Sequence, residues 1–330
     1  MSTPQSPMAT GFTAASTADD VLAGIDLTGK TAIVTGGYSG IGTETSRALR
    51  AAGARVIVPA RDLAKARKAL DGLDIVTEPM DLADPASIDA FAARFVARGE
   101  PLHILIDSAG VMSCPLERDT RGYERQFATN HLGHFQLAMR LWPALAAAGG
   151  ARVVSLSSRG HRLAGVDLDD PHFERRAYDP WIAYGQSKTA NALFAVALDA
   201  RGKAHGVRAF SVHPGAIVTD LARYMSEDDL RARGAIDEEG RPVVDLARGM
   251  KSVAQGAATS VWCATSPQLD GMGGVYCEDV NVSPVMPPVD DELALGFQAV
   301  GVRPWAVDVE AAERLWTLSE TQTNVRFPAY

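Results

Sequence analysis

Positive charge is in short supply in this chain. Its 330 residues carry 32 Lys and Arg against 40 Asp and Glu, a net charge of −8. That balance leaves no basic stripe to follow a phosphate backbone, which argues against a nucleic-acid partner. Cysteine is scarce as well. Cys114, Cys263 and Cys277 make no Cys-x-x-Cys pair and have no close histidine cluster. They read as reduced structural thiols, and neither a disulfide framework nor a metal site is expected. No stretch supplies the roughly twenty apolar residues that a membrane span needs. Residues 1–28 are rich in Ser, Thr, Ala and Asp, without an apolar anchor and without the basic start and apolar core of a secretory signal. They are expected to form a mobile leader on a soluble, cytoplasmic protein. Internal repeats and low-complexity linkers are absent too, and the 46% hydrophobic content is that of an ordinary globular fold.

What the chain does contain is an alternation of two periodicities. Short apolar runs at 31–35, 55–59, 75–78, 104–107, 152–157, 208–213 and 274–277 read as buried strands. Helical patterns at 40–52, 63–70, 85–98, 122–147, 184–201 and 253–264 fill the gaps. Strand and helix in alternation imply parallel pairing through right-handed crossovers. The fold class is therefore α/β, a doubly wound parallel sheet with helices on both faces. One domain is expected over residues 29–285, with an insertion at 220–250 and a C-terminal extension at 286–330.

Two motifs carry chemistry. Thr31-Ala32-Ile33-Val34 runs into Thr35-Gly36-Gly37-Tyr38-Ser39-Gly40-Ile41-Gly42 and then a helical stretch. Strand, glycine-rich turn and helix is the setting of a Rossmann-like dinucleotide fingerprint. Gly36 permits the tight turn, Gly40 lets backbone approach a pyrophosphate, and Gly42 lets helix pack on strand. The free N–H groups and dipole of the helix then receive the phosphates. The second motif is Ser158 at the end of an apolar run, followed by Tyr184-x-x-x-Lys188. A Tyr and a Lys four apart lie one turn apart on a single helix face. A nearby ammonium favours the phenolate, so the tyrosine pKa is expected to fall toward neutrality. Taken alone, the Tyr–Lys spacing is also that of any amphipathic-helix pair.

With both motifs in place, the chain resembles the short-chain dehydrogenase/reductase family from about Leu27 to Val285. The glycine turn, Asp81-Leu82, Asp107-Ser108-Ala109-Gly110, Asn130, Ser158, Tyr184, Lys188 and Pro214-Gly215 stand in family order. Asn130-His131-Leu132-Gly133-His134-Phe135, Val212-His213-Pro214-Gly215 and Gly273-Gly274-Val275-Tyr276 are similar to the retinol-dehydrogenase-like branch. One departure is Asp107-Ser108, where the family usually has Asn-Asn. The resemblance implies hydride transfer between a nicotinamide and a carbonyl or alcohol. Tyr184 is then the acid/base, Ser158 hydrogen-bonds the substrate oxygen, and Lys188 holds the nicotinamide ribose and tunes the tyrosine. Asn130 fixes a water that links Lys188 to solvent. Cofactor contacts fall to Gly36, Tyr38, Ser39, Gly40, Ile41, Gly42, Asp81, Leu82, Ser108, Ala109, Gly110, Pro214, Gly215 and Thr219.

Arg61 decides the cofactor in this reading. The strand ending at Ala60 places no carboxylate where NAD-preferring relatives bind the ribose hydroxyls, and Arg61 follows. A guanidinium there suits a 2′-phosphate, so NADP(H) is preferred and NAD(H) stays open. Residues 220–250 are expected as a substrate lid, with Leu221, Tyr224, Met225 and Leu230 available to its inner face. His161, Arg162 and His172 could line a pocket entrance, but they read as surface residues and are given no role. The expected partner is a fairly hydrophobic small molecule, and a homo-oligomer is left open. The alternatives are a sugar-nucleotide epimerase or dehydratase, which shares Tyr-x-x-x-Lys, and a catalytically silent nucleotide-sensing module.

Overall fold

Runs of Val, Ile and Leu with no polar alternation can only be buried on both faces, and they become the central strands. A computed structural model describes residues 3–287, 289 and 299–328. Its strands are β1 (Thr31–Thr35), β2 (Arg55–Ala60), β3 (Val76–Pro79), β4 (Ile104–Asp107), β5 (Ala151–Leu156), β6 (Val207–His213), β7 (Val275–Glu278) and β8 (Asn281–Val282). They form one sheet in the order β3-β2-β1-β4-β5-β6-β7-β8, parallel throughout except for the antiparallel pair β7-β8. The order reverses between β1 and β4, and the crevice outside the carboxyl ends there is where such sheets bind ligands.

The helices are α1 (Ala18–Leu22), α2 (Gly40–Ala51), α3 (Leu63–Ala69), α4 (Pro85–Val96), α5 (Arg125–Phe127), α6 (Gly133–Arg140), α7 (Trp142–Ala147), α8 (Pro180–Gly202), α9 (Glu227–Ala232), α10 (Val253–Thr265) and α11 (Val309–Thr323). One face of the sheet is covered by α4, α6, α8 and α11, through Phe91, Phe135, Phe194 and Trp316. The other is covered by α1, α2 and α10, through Val21, Leu49 and Trp262. The doubly wound sheet expected from the sequence is the fold observed. No helix among the described residues is long and apolar enough to cross a membrane.

Four local outcomes differ from the sequence reading. The helix expected over 122–147 is interrupted by a π-turn at Ala128–Leu132 and again between α6 and α7, where Pro143 cannot donate a helix hydrogen bond. α8 begins at Pro180, earlier than expected, because Asp179 caps Trp181 N and Ile182 N at 2.8 and 2.9 Å. Residues 3–28, expected as a mobile leader, lie against the body. The Gln5 amide bonds to Tyr276 O at 2.8 Å and takes Tyr276 N at 2.9 Å, and α1 rests on α10. The surface placement of His161, Arg162 and His172 is corrected: all three are buried. The C-terminal extension covers them. Arg303 N donates to His161 Nε2 at 3.1 Å, Arg162 Nη2 donates to Gly301 O at 2.8 Å, and Gln322 meets His172 Nε2 at 2.8 Å.

Candidate active site

The site grows from the two strand ends at the reversal point. β1 stops at Thr35, whose Oγ1 accepts Ser108 N and Ala109 N from the end of β4, at 2.9 and 3.0 Å. The same oxygen meets His134 Nε2 at 2.9 Å, and His134 Nδ1 meets Asn130 O at 2.9 Å. A carbonyl only accepts, so Nδ1 carries the proton, and Thr35 donates its own proton to Nε2. Burial pushes the His134 pKa down to about 4, which keeps the ring neutral for this relay. Gly36 then turns the chain at φ +65°, and a Cβ built on Gly42 would lie 2.3 Å from Gly36 O. Only glycine at both positions brings α2 this close to its strand. Ser39, at the head of α2, makes no side-chain cap bond, unlike Asp62, Asp84 and Asp179 at α3, α4 and α8. The first-turn N–H groups of α2 are therefore left for an anion at a turn with no side chain in the way. These two features fit a dinucleotide pyrophosphate.

The second half of the site comes from β5 and α8. Lys188 Nζ and Asn191 Nδ2 both donate to Leu156 O, at 2.8 and 2.9 Å, and Ser157 Oγ donates to Lys188 O at 2.6 Å. This clamp fixes α8 against the end of β5. Ser158 then opens a short 3-10 turn, accepting Gly160 N on its Oγ at 3.0 Å. A Cβ on Gly160 would sit 2.7 Å from the Tyr184 ring, so the turn lies flush on the tyrosine. The Ser158 hydroxyl lies on the same cavity wall as the Tyr184 phenol, near enough to favour its ionised form. His213, at the end of β6, accepts Arg159 N at 3.2 Å and so ties the serine turn to the Pro214-Gly215 segment.

The electrostatics reverse one expectation. Burial raises the Tyr184 pKa to about 12, and the neighbouring Ser158 hydroxyl pulls it back in part. Lys188 Nζ lies 5.7 Å from the tyrosine ring centre, and its own pKa falls to about 8 through burial. Loss of water thus outweighs the ammonium, and the phenol is neutral at pH 7. The Asn130 side chain is occupied as a brace. Oδ1 accepts Val111 N at 2.8 Å, and Nδ2 donates to Val111 O and Ser187 Oγ, each at 2.9 Å. Asn130 Oδ1 and Lys188 Nζ nonetheless flank the same point, lying 3.0 and 3.7 Å from a Cβ built on Gly110.

A single cavity of about 1080 Å³ runs from the glycine turn to the Ser158–Tyr184 pair. Ser158, Tyr184 and Lys188 line it, with Tyr38, Ser39, Arg61, Asp81 and Leu82 at one end. Ser108 and Ala109, and Pro214, Gly215 and Thr219, complete its walls. Gly40 and Asn130 stand behind the lining. Asp81 is not the cap of α4, which is Asp84. From the 220–250 insertion, Leu221, Met225 and Leu230 reach the cavity, whereas Tyr224 is exposed beneath the Arg223 guanidinium. Thr35, His134, His213, Asn191 and Lys65 had no assigned part in the sequence reading. Their signal was position only: Thr35 and His213 end strands, Lys65 lies in the first turn of α3, His134 heads α6, and Asn191 lies one turn after Lys188 on α8.

The geometry has counterparts in known proteins. A family model described as short chain dehydrogenase matches residues 30–230. A "Probable oxidoreductase" of Streptomyces antibioticus is 45% identical over 300 residues, 88% of this chain and 97% of that protein. Retinol dehydrogenase 12 of Mus musculus is 35% identical over 302 residues, 89% of this chain and 86% of the mouse protein. Among solved structures, an uncharacterized protein from Mycobacterium paratuberculosis superimposes with a TM-score of 0.72 at 30% identity, over 96% of this chain and all of that one.

Proposed function

This chain belongs to the short-chain dehydrogenase/reductase family, and we propose that within it the protein is an NADP(H)-preferring oxidoreductase that interconverts a carbonyl and an alcohol on a fairly hydrophobic small molecule. The observation that carries this reading is that Ser158, Tyr184 and Lys188 line the same cavity as the open glycine turn. Gly36 and the head of α2 would take the pyrophosphate, Asp81 and Leu82 the adenine, and Arg61 the 2′-phosphate. Pro214, Gly215 and Thr219 would hold the nicotinamide end. A nicotinamide bound there supplies or accepts the hydride.

The protein's part is position and proton. A phenol held neutral at pH 7 is a proton donor, so Tyr184 gives its proton to the substrate oxygen in the reductive direction. Ser158 directs a hydroxyl at that same oxygen, where negative charge grows. Lys188 keeps its charge below about pH 8 and favours the phenolate left behind. Asn130 Oδ1, beside Gly110 with Lys188 Nζ, would fix a water that links Lys188 to solvent. Met225, Leu230, Leu163 and Trp181 give the substrate end its apolar walls, and the 220–250 segment serves as its lid.

The test is NADPH oxidation across a panel of ketones and aldehydes, with secondary alcohols and NADP for the reverse direction. On the best substrate, Tyr184→Phe should lose roughly 10²- to 10⁴-fold in turnover, since it deletes the proton donor and little volume. NADPH affinity should be retained. Equal turnover by variant and wild type overturns the assignment.

A further inference from the structure

The strand end after β2 holds no carboxylate, yet a carboxylate does reach that corner of the cavity from elsewhere. Asp220, the first residue of the 220–250 segment, places Oδ2 3.3 Å from Ser39 Oγ and 3.5 Å from Lys65 Nζ. Ser39 heads α2, and Lys65 lies in the first turn of α3, four residues after Arg61. Ser39, Arg61, Lys65 and Asp220 all line the cavity. Asp62, the other acid at this corner, is engaged as the cap of α3, accepting Lys65 N at 2.9 Å. Asp220 is anchored from behind as well. It opens a short 3-10 turn capped by Thr219, and its carbonyl accepts Arg223 Nη1 at 3.0 Å. The carboxylate is therefore held at the 2′ corner by the segment that covers the substrate end.

We propose that Asp220 is a cofactor-discriminating residue, occupying with its own carboxylate the Ser39 and Lys65 donors that a ribose 2′-phosphate requires. The inference rests on the proposed placement of the adenosine ribose beside Arg61. A 2′-phosphate brings nearly two negative charges at pH 7 and competes with Asp220 for one hydroxyl and one ammonium. A free 2′-hydroxyl is neutral and can donate to the same carboxylate. Asp220 thus narrows the preference for a phosphorylated cofactor that Arg61 creates, and it makes the first turn of the lid move when that phosphate binds. The acid sits on the lid and not on the strand, so cofactor choice and lid position share one side chain.

The probes are 2′,5′-ADP and 5′-AMP, which differ only in the 2′-phosphate, with dissociation constants measured by calorimetry on the full chain. Asp220→Asn should tighten 2′,5′-ADP about two- to fivefold, the range open to an exposed charge pair, and leave 5′-AMP unchanged or slightly weaker. The gain should shrink as salt rises. Lys65→Ala should weaken 2′,5′-ADP, and the Asp220→Asn gain should shrink in that background. An unchanged or weaker 2′,5′-ADP affinity in Asp220→Asn overturns the inference, as does an equal shift for both probes. Arg61→Ala separates the two levels of the argument. If it leaves 2′,5′-ADP binding untouched while Asp220→Asn still shifts the ratio, the Arg61 reading fails and the Asp220 inference stands. If Arg61→Ala weakens binding and Asp220→Asn does nothing, the reverse holds.

Discussion

Asp107→Asn should stabilise the protein, by an amount that grows with pH. Asp107 ends β4 between Thr35 and Ser155 on the neighbouring strands, and it is fully buried. Both of its carboxylate oxygens lack a hydrogen-bond partner among the described residues, and burial alone raises its pKa well above the usual value. The native state therefore binds a proton that the unfolded chain releases above a pKa of about 3.9. Below that value the carboxyl is neutral in both states and costs nothing extra. As pH rises toward the native-state pKa, folding must take up a proton, and stability falls by about 1.4 kcal/mol per pH unit. Asparagine has nearly the same shape and no proton to take up.

The two proteins should be compared by urea denaturation from pH 4.5 to 8, with linear extrapolation to water. The stability difference should be about 1 kcal/mol at pH 4.5, rise by about 1.4 kcal/mol per unit, and level off at the native-state pKa of Asp107. For a chain of this size each kcal/mol corresponds to roughly 2 °C in Tm, so scanning calorimetry gives an independent check. A difference that stays flat between pH 5 and 8 would refute the reasoning, because it would mean that Asp107 ionises alike in both states. A loss of stability at pH 7 would refute it more strongly, since it would assign the carboxylate a favourable buried role.

Three further outcomes follow from the site. Arg61→Ala should weaken NADPH by about tenfold, a charge-assisted pair being worth roughly 1.5 kcal/mol, while NADH is nearly unaffected; Ala60→Asp should weaken NADPH further, and tighter wild-type binding of NADH than NADPH in a fluorescence titration would contradict both. Excising residues 225–247 while keeping Asp220 should change KM and substrate order but leave the NADPH dissociation constant within about twofold, and unchanged substrate kinetics would reduce the segment to surface. Lys188 titrates at about 8 in the folded protein, lowered by burial, so kcat/KM for reduction should decline as pH rises through that value. The folding penalty of its buried charge is fully present below pH 8 and relieved between 8 and 10.5. Lys188→Met should therefore be more stable than wild type at pH 7, have lost most activity, and lack that limb of the pH profile.

What could be read in the sequence was set by how local its cause is. Strands such as Thr31–Thr35 and Ile104–Asp107 fall where their apolar runs placed them, because burial on both faces leaves no other pattern. The glycine turn and the Tyr–Lys spacing are equally local, being fixed by backbone close approach and helix pitch. The misplaced helix bounds have local causes, Pro143 and the Asp179 cap, but the misreading of burial involves partners far away along the chain. His161 and Arg162 are polar, and polar residues belong on the surface unless something covers them. Here the cover is Arg303 and Gly301, about 140 positions on, and no periodicity announces that. α11 carries an apolar stripe, but the surface that receives it is built from Phe135 and Phe194 on helices buried nearly all round.

The same distinction explains the tyrosine. Counting charges along a helix gives Lys188 as the nearest cation to Tyr184 and predicts a lowered pKa. What the count omits is water. Tyr184 is 3% exposed and Lys188 is 4% exposed, because Gly160, Gly185 and the serine turn close over them. Desolvation penalises the phenolate and the ammonium alike, moving the two pKa values apart, to about 12 and about 8. In the protein by itself the proton therefore rests on the tyrosine, and the proposed reduction needs only that it be given up as charge appears on the substrate. Oxidation asks for the phenolate first, which burial opposes at neutral pH. In the proposed acid/base role, that favours proton donation by Tyr184, through the same close packing that lays the serine turn on its ring.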